Sequence, residues 1–458
     1  MIPTTKDAYR LLHRGAIALS RVESNGIRID MGYLNSKITE TEKTIIKLQK
    51  ELLKSDVWTE WRKHYGEKAN LGSREQLGQV FFKDLGFECK AVTKSGRFKT
   101  DESNFEGVDH PFVKNYFRIE KLKKAKTTYL EGIRRETIDG YLHPVFNLHL
   151  VQTYRSSSDS PNFQNIPVRN PEIGELIRRC FIPRKGNQLI EVDYSGIEVR
   201  IAACYHKDPV LIRDILTGDM HRDMSAECYI LEKEQVDKKI RYCGKNKFVF
   251  PQFYGSYYPD CAKALWEAIE QMDLQVNGES LKVHLKKKGI HKLGECDPDK
   301  PTIPGTFEHH IKKVETNFWE KRYKVYAQWK KKWFRDYLSR GWFDILSGFR
   351  VHGVYRRNEV INYPVQGFAF HCLLESLIRL QKKIDLKRML ALIVGQIHDS
   401  ILSDVPERER DDYLHLAKEI TTKEIPRVWP SINVPLEIEA EASPVGASWF
   451  EKKGIIIP

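Results

Sequence analysis

Eight cysteines are scattered through 458 residues with no Cys-x-x-Cys pair and no two close together, so neither a zinc site nor a disulfide framework has its usual spacing. No apolar run approaches the ~18 residues of a membrane span, and no short apolar segment of the secretory kind follows Met1. No internal repeat is evident. Together these absences imply a reducing, cytoplasmic setting with no membrane partner. What the chain does have is an ordinary hydrophobic content of 41%, enough at this length for a sizeable core and about two to four lobes. It also has 75 basic against 62 acidic side chains, a formal charge of +13 and a pI near 9.1. That surface field favours a polyanionic partner.

Two stretches carry the chemistry. Leu189 to Val192 is a short apolar run fit for a buried strand; Asp193 ends it, and Ser195-Gly196-Ile197-Glu198 reads as a capping box opening a helix. A carboxylate therefore stands at a strand's carboxyl end. Much later, the runs Leu392 to Ile397 and Ile401 to Val405 flank a tight polar turn, a hairpin pattern with Asp399 at its tip. Taken singly, Asp399 is a turn former and Asp193 a helix cap. Taken together on adjacent strands, they make a site for divalent metals.

The remainder is read in chain order. Leu11, Leu12, Ile17, Ala18, Leu19 and Val22 mark a first helix closed by Asn25-Gly26, after which Ile27-Arg28-Ile29-Asp30 is extended. Asp30 then caps a long helix with Leu34, Ile38, Ile45, Leu48 and Leu52 on its apolar face. Ser73-Arg74-Glu75-Gln76 is a second capping box, leading to Leu77, Val80, Phe81 and Leu85 before a stop at Gly86. Lys121, Lys123, Lys124 and Lys126 either grip a phosphate backbone or form a solvated helix face, and charge alone favours the face. Thr153 to Pro167 is too polar for core; composition favours a linker over a loop on a polar ligand. A helix begins at Asp219. Arg241 and Lys245, four apart, share a helix face and could hold a triphosphate, while Pro251 kinks or ends that helix. A stretch over 278–306 reads as loops joined to a short basic helix without chemistry. Trp319, Tyr323, Tyr326, Trp333 and Tyr337 recur at helical spacing as core, with Lys330-Lys331-Lys332 on a solvated opposite side. Pro435 to Glu439 alternates like an edge strand. Helices, strands, helices and strands again give an α+β chain with a discontinuous lobe.

These residues resemble the family A DNA polymerases, the group of bacterial DNA polymerase I and many phage replicases, over nearly the whole chain. Asp193 to Arg200 is similar to the family's motif A, Arg241 to Gly255 to motif B, and Gln396-Ile397-His398-Asp399 to motif C. Thr153 to Pro167 resembles the loop ahead of motif A, which reverses the linker reading, and Asn362 to Gly367 resembles the Asn-x-x-x-Gln-Gly element before motif C.

The resemblance implies a right-hand architecture with an antiparallel-sheet palm, helical thumb and helical fingers. Its parts are an N-terminal segment (1–30), thumb (31–140), first palm part (141–205), fingers (206–348, with an insertion near 278–306) and second palm part (349–458). It implies template-directed DNA synthesis at a primer 3′-hydroxyl, by a monomer, with two Mg²⁺ ions for which Mn²⁺ can substitute. Asp193, Asp399 and the Tyr194 carbonyl become expected metal ligands, and Asp193, Asp399 and Lys245 the catalytic groups. His221, Arg241, Lys245, Phe250, Glu198 and Tyr254 are expected on the deoxynucleoside triphosphate, with Glu198 crowding the 2′ position. Arg155, Asn162, Gln164, Asn165, Gln366 and His398 are expected on primer-template DNA, where Arg155 and Gln366 read minor-groove acceptors common to all four pairs.

Four departures stand out. Motif B is one residue longer than the family pattern, so Lys245 and Tyr254 need a bulge to share register, and Lys247 and Phe248 remain alternatives. Tyr154 replaces the usual glycine before Arg155. Ser400 stands where the family usually has glutamate, which bears on an auxiliary carboxylate but not on the two-metal core. Tyr9 to Asp30 already resembles the segment after the 3′–5′ exonuclease domain, so no proofreading domain is expected in this chain. The rival functions are a polymerase of the same mechanism acting as RNA polymerase or on RNA templates, the former opposed by Glu198, and a non-catalytic DNA-binding relic.

Overall fold

The apolar run before Asp193 becomes the middle strand of a five-stranded antiparallel sheet in the computed structural model, which describes residues 3–89, 91–93, 95–105, 108–168 and 170–458. This strand, β1 (Asn187–Tyr194), has the hairpin β2 (Leu392–Ile397) and β3 (Ser400–Pro406) on one side and β4 (Ile438–Ala442) with β5 (Lys453–Ile455) on the other, in the order β2-β3-β1-β4-β5. Leu189 and Ile190 are wholly buried, and every residue of β3 is buried, because helices cover the sheet. Buried on both faces, such strands read as continuous apolar runs rather than alternating ones. The register sets Asp193 opposite Ser400 on β3 and Glu439 on β4.

The strand runs one residue further than expected. Tyr194 still pairs with Ile438, and its ring turns inward so that its hydroxyl meets that of Ser376 at 2.8 Å. Side chains alternate along a strand, so Asp193 points the other way. The expected capping box at Ser195 is absent. Gly196, left-handed at φ 58°, forms the N-terminal boundary of α3 below with no side-chain cap; the Ser195 hydroxyl donates instead to Glu439 (2.6 Å), and Glu198 accepts from Tyr254. Both box residues have stronger partners across the sheet and cleft. The Ser73 box is half formed: Ser73 accepts from the Gln76 N–H, but the Gln76 amide bonds Trp61, Asn70 and Lys68.

Two helices enter as their caps predict. Helix α1 (Thr5–Asn25) ends at Gly26, and α2 (Met31–Leu52) starts at Asp30, whose carboxylate accepts from the Tyr33 N–H. Between them Ile27–Ile29 pairs with Tyr141–Leu142 and Phe181–Ile182, tying the helical N-terminal lobe to the sheet lobe. In the lysine cluster, Lys121, Lys123 and Lys126 pair with Glu102, Glu120 and Glu42, consistent with a solvated face. The stretch Thr153 to Pro167 is no free linker, since Phe163, Ser156 and Ser158 are buried and Phe163 packs where a Cβ on Gly395 would lie 2.5 Å from its ring.

Further on come α3 (Ile197–His206), α4 (Met220–Tyr229), α5 (Lys238–Cys243), α6 (Lys324–Arg340) and the 30-residue α7 (Arg357–Leu386). The 278–306 stretch folds back on its lobe, burying Leu281, Leu285 and Ile290. Tyr323, Tyr326 and Tyr337 are core as expected, whereas Trp319 and Trp333 are half-buried. Lys330 corrects the reading of its run. Four residues after Tyr326, it shares that residue's face, and its ammonium lies 3.0 Å from the Trp319 ring centre and 5.3 Å from that of Tyr326. Burial pushes it down to about 7; Lys331 and Lys332 are exposed. All eight cysteines are free, and among the described residues no helix is long and apolar enough to cross a membrane.

Candidate active site

The two aspartates meet. Asp399 follows His398, which takes φ 52° in the two-residue turn between β2 and β3, and its carbonyl accepts from the Tyr194 N–H at 3.3 Å. Beneath the turn, the buried Gln396 amide donates to the His398 carbonyl (2.8 Å) and accepts from Ser156 (2.6 Å) and Gln164 (2.7 Å). Every polar atom that holds the turn is thus internal, and Asp399 is aimed at Asp193.

Burial, then the Asp399 charge, then Glu191 and Glu439 push Asp193 up to about 8. Burial also raises Asp399. Asp193 Oδ1 is buried with no hydrogen-bond partner among the described residues. A carboxylate pair with an orphaned oxygen fits divalent metal ions, and the Tyr194 carbonyl lies on the same strand end. Among the described residues no third Asp, Glu, His or Cys completes a closed cluster, so remaining ligands would come from water or a phosphate substrate.

The pair carries a stability cost with a definite sign. A carboxyl whose folded value lies above its unfolded value near 3.8 binds more protons folded than unfolded, so stability falls as pH rises from about 4 to about 8. Asp193→Asn should therefore melt above the native chain in EDTA. The gap should be of order 1 kcal/mol or more and should widen between pH 5 and pH 8. Melting curves at the two pH values check this; a gap that shrinks with rising pH overturns it.

Ser400, where the resemblance puts a glutamate, is bonded to a glutamate on the neighbouring strand. The Ser400 hydroxyl donates to Glu191 (2.9 Å), which also accepts from Trp449 (2.9 Å) and Lys452. Burial would raise Glu191, but the Lys452 charge and the hydrogen bonds from Lys452, Trp449 and Ser400 together outweigh it and hold the group low.

Across the cleft, α5 continues through a wide π turn, Gly244–Val249, into Phe250–Phe253. In that turn the Phe250 N–H reaches back five residues to the Lys245 carbonyl, which accommodates one extra residue. It also opens space just before Pro251, whose ring would otherwise press on the preceding turn. This winding brings Lys245, Phe250 and Tyr254 together, with the Phe250 and Tyr254 ring centres 6.2 Å apart. The Lys245 ammonium lies 5.3 Å from the Phe250 ring centre, and His221 meets that ring edge-on at 5.6 Å. Phe248 is buried against Phe318, 5.5 Å away, and Lys247 belongs to the Cys243 side. Arg241 donates to Asp219 (2.8 Å). Burial, then Lys245 and Arg241, push His221 down to about 4, so it is neutral near pH 7.

The Tyr254 hydroxyl donates to Glu198, and Arg155 stands 3.6 Å from the other Glu198 oxygen. Burial raises Glu198, opposed by Tyr254 and Arg155. Two amides of α7 hold the end of the motif: Asn362 donates to the Tyr254 carbonyl (3.0 Å) and Asn358 to the Gly255 carbonyl (3.2 Å). Gly255 has φ 90°, and a Cβ there would lie 2.4 Å from Asn358, so this close approach needs glycine.

The expected DNA-facing residues divide. Asn162, Asn165 and His398 are exposed, and Arg155 and Gln366 are half-buried along the cleft. Gln164 is spent internally on Ser156 and Gln396. Sequence reading missed Asp219, Asn358 and Gln396 as supports. Asn358 and Asn362 lie at helical spacing before Gln366, and that shared face was the available signal.

An antiparallel sheet with paired carboxylates at its strand ends, facing one helix that offers Arg241 and Lys245 and a second, α4, that offers His221, defines a centre suited to cations and phosphates. The family model for DNA polymerase family A matches residues 39–277. The thermostable DNA polymerase I of Thermus thermophilus is 29% identical over 445 residues, 95% of this chain and 47% of that protein. DNA polymerase I of Geobacillus stearothermophilus is 25% identical over 444 residues, 95% of this chain and 45% of that protein. Among solved structures, the POL domain of Pol1 from M. smegmatis in complex with DNA primer-template and dNTP superposes with a TM-score of 0.74 at 24% identity, covering 96% of this chain and 70% of that one. The chain belongs to DNA polymerase family A and has the fold of its polymerase domain. It spans about half the length of the curated relatives it matches.

Proposed function

We propose that this chain extends a DNA primer on a DNA template by nucleotidyl transfer, with Asp193 and Asp399 as its centre. The observation that carries this reading is their meeting at the ends of β1 and the β2–β3 turn with an uncompensated oxygen, opposite a basic wall. The sheet is the palm (141–205 and 349–458), the helices of 31–140 the thumb, and 206–348 the fingers. The printed description of the M. smegmatis relative, with primer-template and dNTP bound, supports the choice of ligands.

Two Mg²⁺ ions, held by Asp193, Asp399 and the Tyr194 carbonyl, would lower the pKa of the primer hydroxyl and stabilise charge on the leaving pyrophosphate. The chain's own residues do the rest. Arg241 and Lys245 present charge-assisted donors to the triphosphate, and Asp219 sets the direction of Arg241. Neutral His221 offers a hydrogen bond without adding a third positive charge. Phe250 gives the incoming base a face to stack on, and Tyr254 closes the helix end beside the template. Glu198 fills the space a 2′-hydroxyl would need. Arg155 and Gln366 approach the minor groove, where acceptors are common to all pairs, so binding is insensitive to sequence and steeply dependent on salt.

Extension of a labelled primer tests the proposal. Addition of templated deoxynucleotides is expected with Mg²⁺ or Mn²⁺ and none in EDTA. The same assay on an RNA template measures use of that template, and binding without extension under any of these conditions would favour the relic.

A further inference from the structure

Tyr154, in the place of a glycine, holds φ 57°, a left-handed conformation that is costly for a side chain of its size and survives only where surroundings enforce it. Four contacts do so. Its N–H donates to the Val151 carbonyl (2.9 Å), its hydroxyl donates to the Arg350 carbonyl (3.1 Å), its ring packs on Phe349 with centres 4.6 Å apart, and its carbonyl accepts from His371 Nε2 (3.3 Å).

His371 is the unusual partner. It sits on α7, wholly buried, with Phe349 stacked on it at 4.3 Å and Nδ1 2.6 Å from the Ser347 hydroxyl. Because a carbonyl only accepts, Nε2 must carry the hydrogen; Nδ1 then accepts, and Ser347 donates. Burial pushes the ring down to about 3, so this one neutral tautomer persists across the working range. One turn earlier on α7, Gly367 lets the Thr153 carbonyl approach so closely that a Cβ would lie 2.6 Å from it. Both residues before Arg155 thus dock on the helix that carries Gln366, and Arg155 leaves that dock toward Glu198, with His398 and Asp399 near enough to feel its charge.

We propose that Ser347, His371 and Tyr154 form a positioning relay that fixes the aim of Arg155 at the primer-terminal pair and so sets the preference for a correctly paired primer end. None of the three touches the reacting atoms; they act through Arg155. This rests on the polymerase reading above.

The test compares His371→Leu, which keeps bulk but loses the donor, His371→Gln, whose amide can restore a donor near Nε2, Arg155→Ala, and the double variant His371→Leu with Arg155→Ala. Two readouts are taken on the full chain: kcat/KM for extending paired against mispaired primers, and metal-free affinity for the same two primer-templates. His371→Leu should lower the paired-over-mispaired preference roughly tenfold, His371→Gln should recover most of it, and the double variant should match Arg155→Ala, as groups acting in series do. Additive losses, or a folded His371→Leu with unchanged preference in both readouts, overturn the relay. Should the native chain bind but never extend a primer, the polymerase reading fails, and the affinity readout still decides for or against the relay. If His371→Leu does not fold, His371→Gln against Tyr154→Phe, which drops only the hydroxyl bond to Arg350, gives the same comparison: most of the preference kept in the former and a larger loss in the latter are expected, and no loss in Tyr154→Phe overturns it.

Discussion

Asp193→Ala and Asp399→Ala should each lower nucleotide addition by at least about 10³-fold, while primer-template affinity stays within roughly threefold of the native value. The split follows from where the two acids stand. They stand half-buried at the ends of neighbouring strands, and among the described residues Asp193 Oδ1 has no hydrogen-bond partner and neither carboxylate caps a helix or fastens a loop whose loss would unfold the cleft. On the proposed reading DNA affinity would rest on cationic and amide groups elsewhere, and removing a carboxylate lessens repulsion toward phosphates. The chemical step is different: on the proposed reading, loss of either acid would take a shared ligand from the cations that would activate the 3′-hydroxyl. Single-turnover extension with a parallel binding titration separates the two effects, and extension retained within tenfold would refute the metal assignment.

Glu198→Ala should raise ribonucleotide incorporation relative to deoxyribonucleotide by roughly 10- to 200-fold, the range that one misfitting group in a tight pocket commands. Glu198 is poised for this because three constraints hold it at once: the Tyr254 hydroxyl on one oxygen, Arg155 3.6 Å from the other, and its place in the first turn of α3. Tyr254→Phe removes the first constraint only and should give a smaller increase. Competition between the two sugars on one template measures the ratio, and an unchanged ratio in Glu198→Ala ends the case for a steric gate.

Local signals were legible where local partners decide the outcome. Asp30 caps α2, Gly26 closes α1, and the apolar runs around Asp193 and Asp399 are strands of one sheet. The site's centre was legible for the same reason, since each acid sits at the end of an apolar run. Failures occur where a distant residue outbids a near one. Ser195 and Glu198 look like a box, yet Glu439 and Tyr254 claim them. The Gln164 amide nitrogen looks unpartnered, yet it donates to Gln396, far along the chain. Lys330 looks like part of a solvated run, and only the cleft between Trp319 and Tyr326 shows otherwise. A polar side chain's partner across two lobes leaves no mark in sequence spacing.

The wide turn at Gly244–Val249 has a rotational consequence. In a regular helix each added residue turns everything downstream by about 100°, so an unabsorbed insertion would swing Phe250 and Tyr254 away from the cleft that Arg241 faces. By looping out one residue's worth of winding, the helix keeps both halves in phase. The upstream charges of Arg241 and Lys245 and the downstream rings of Phe250 and Tyr254 therefore look onto the same cleft.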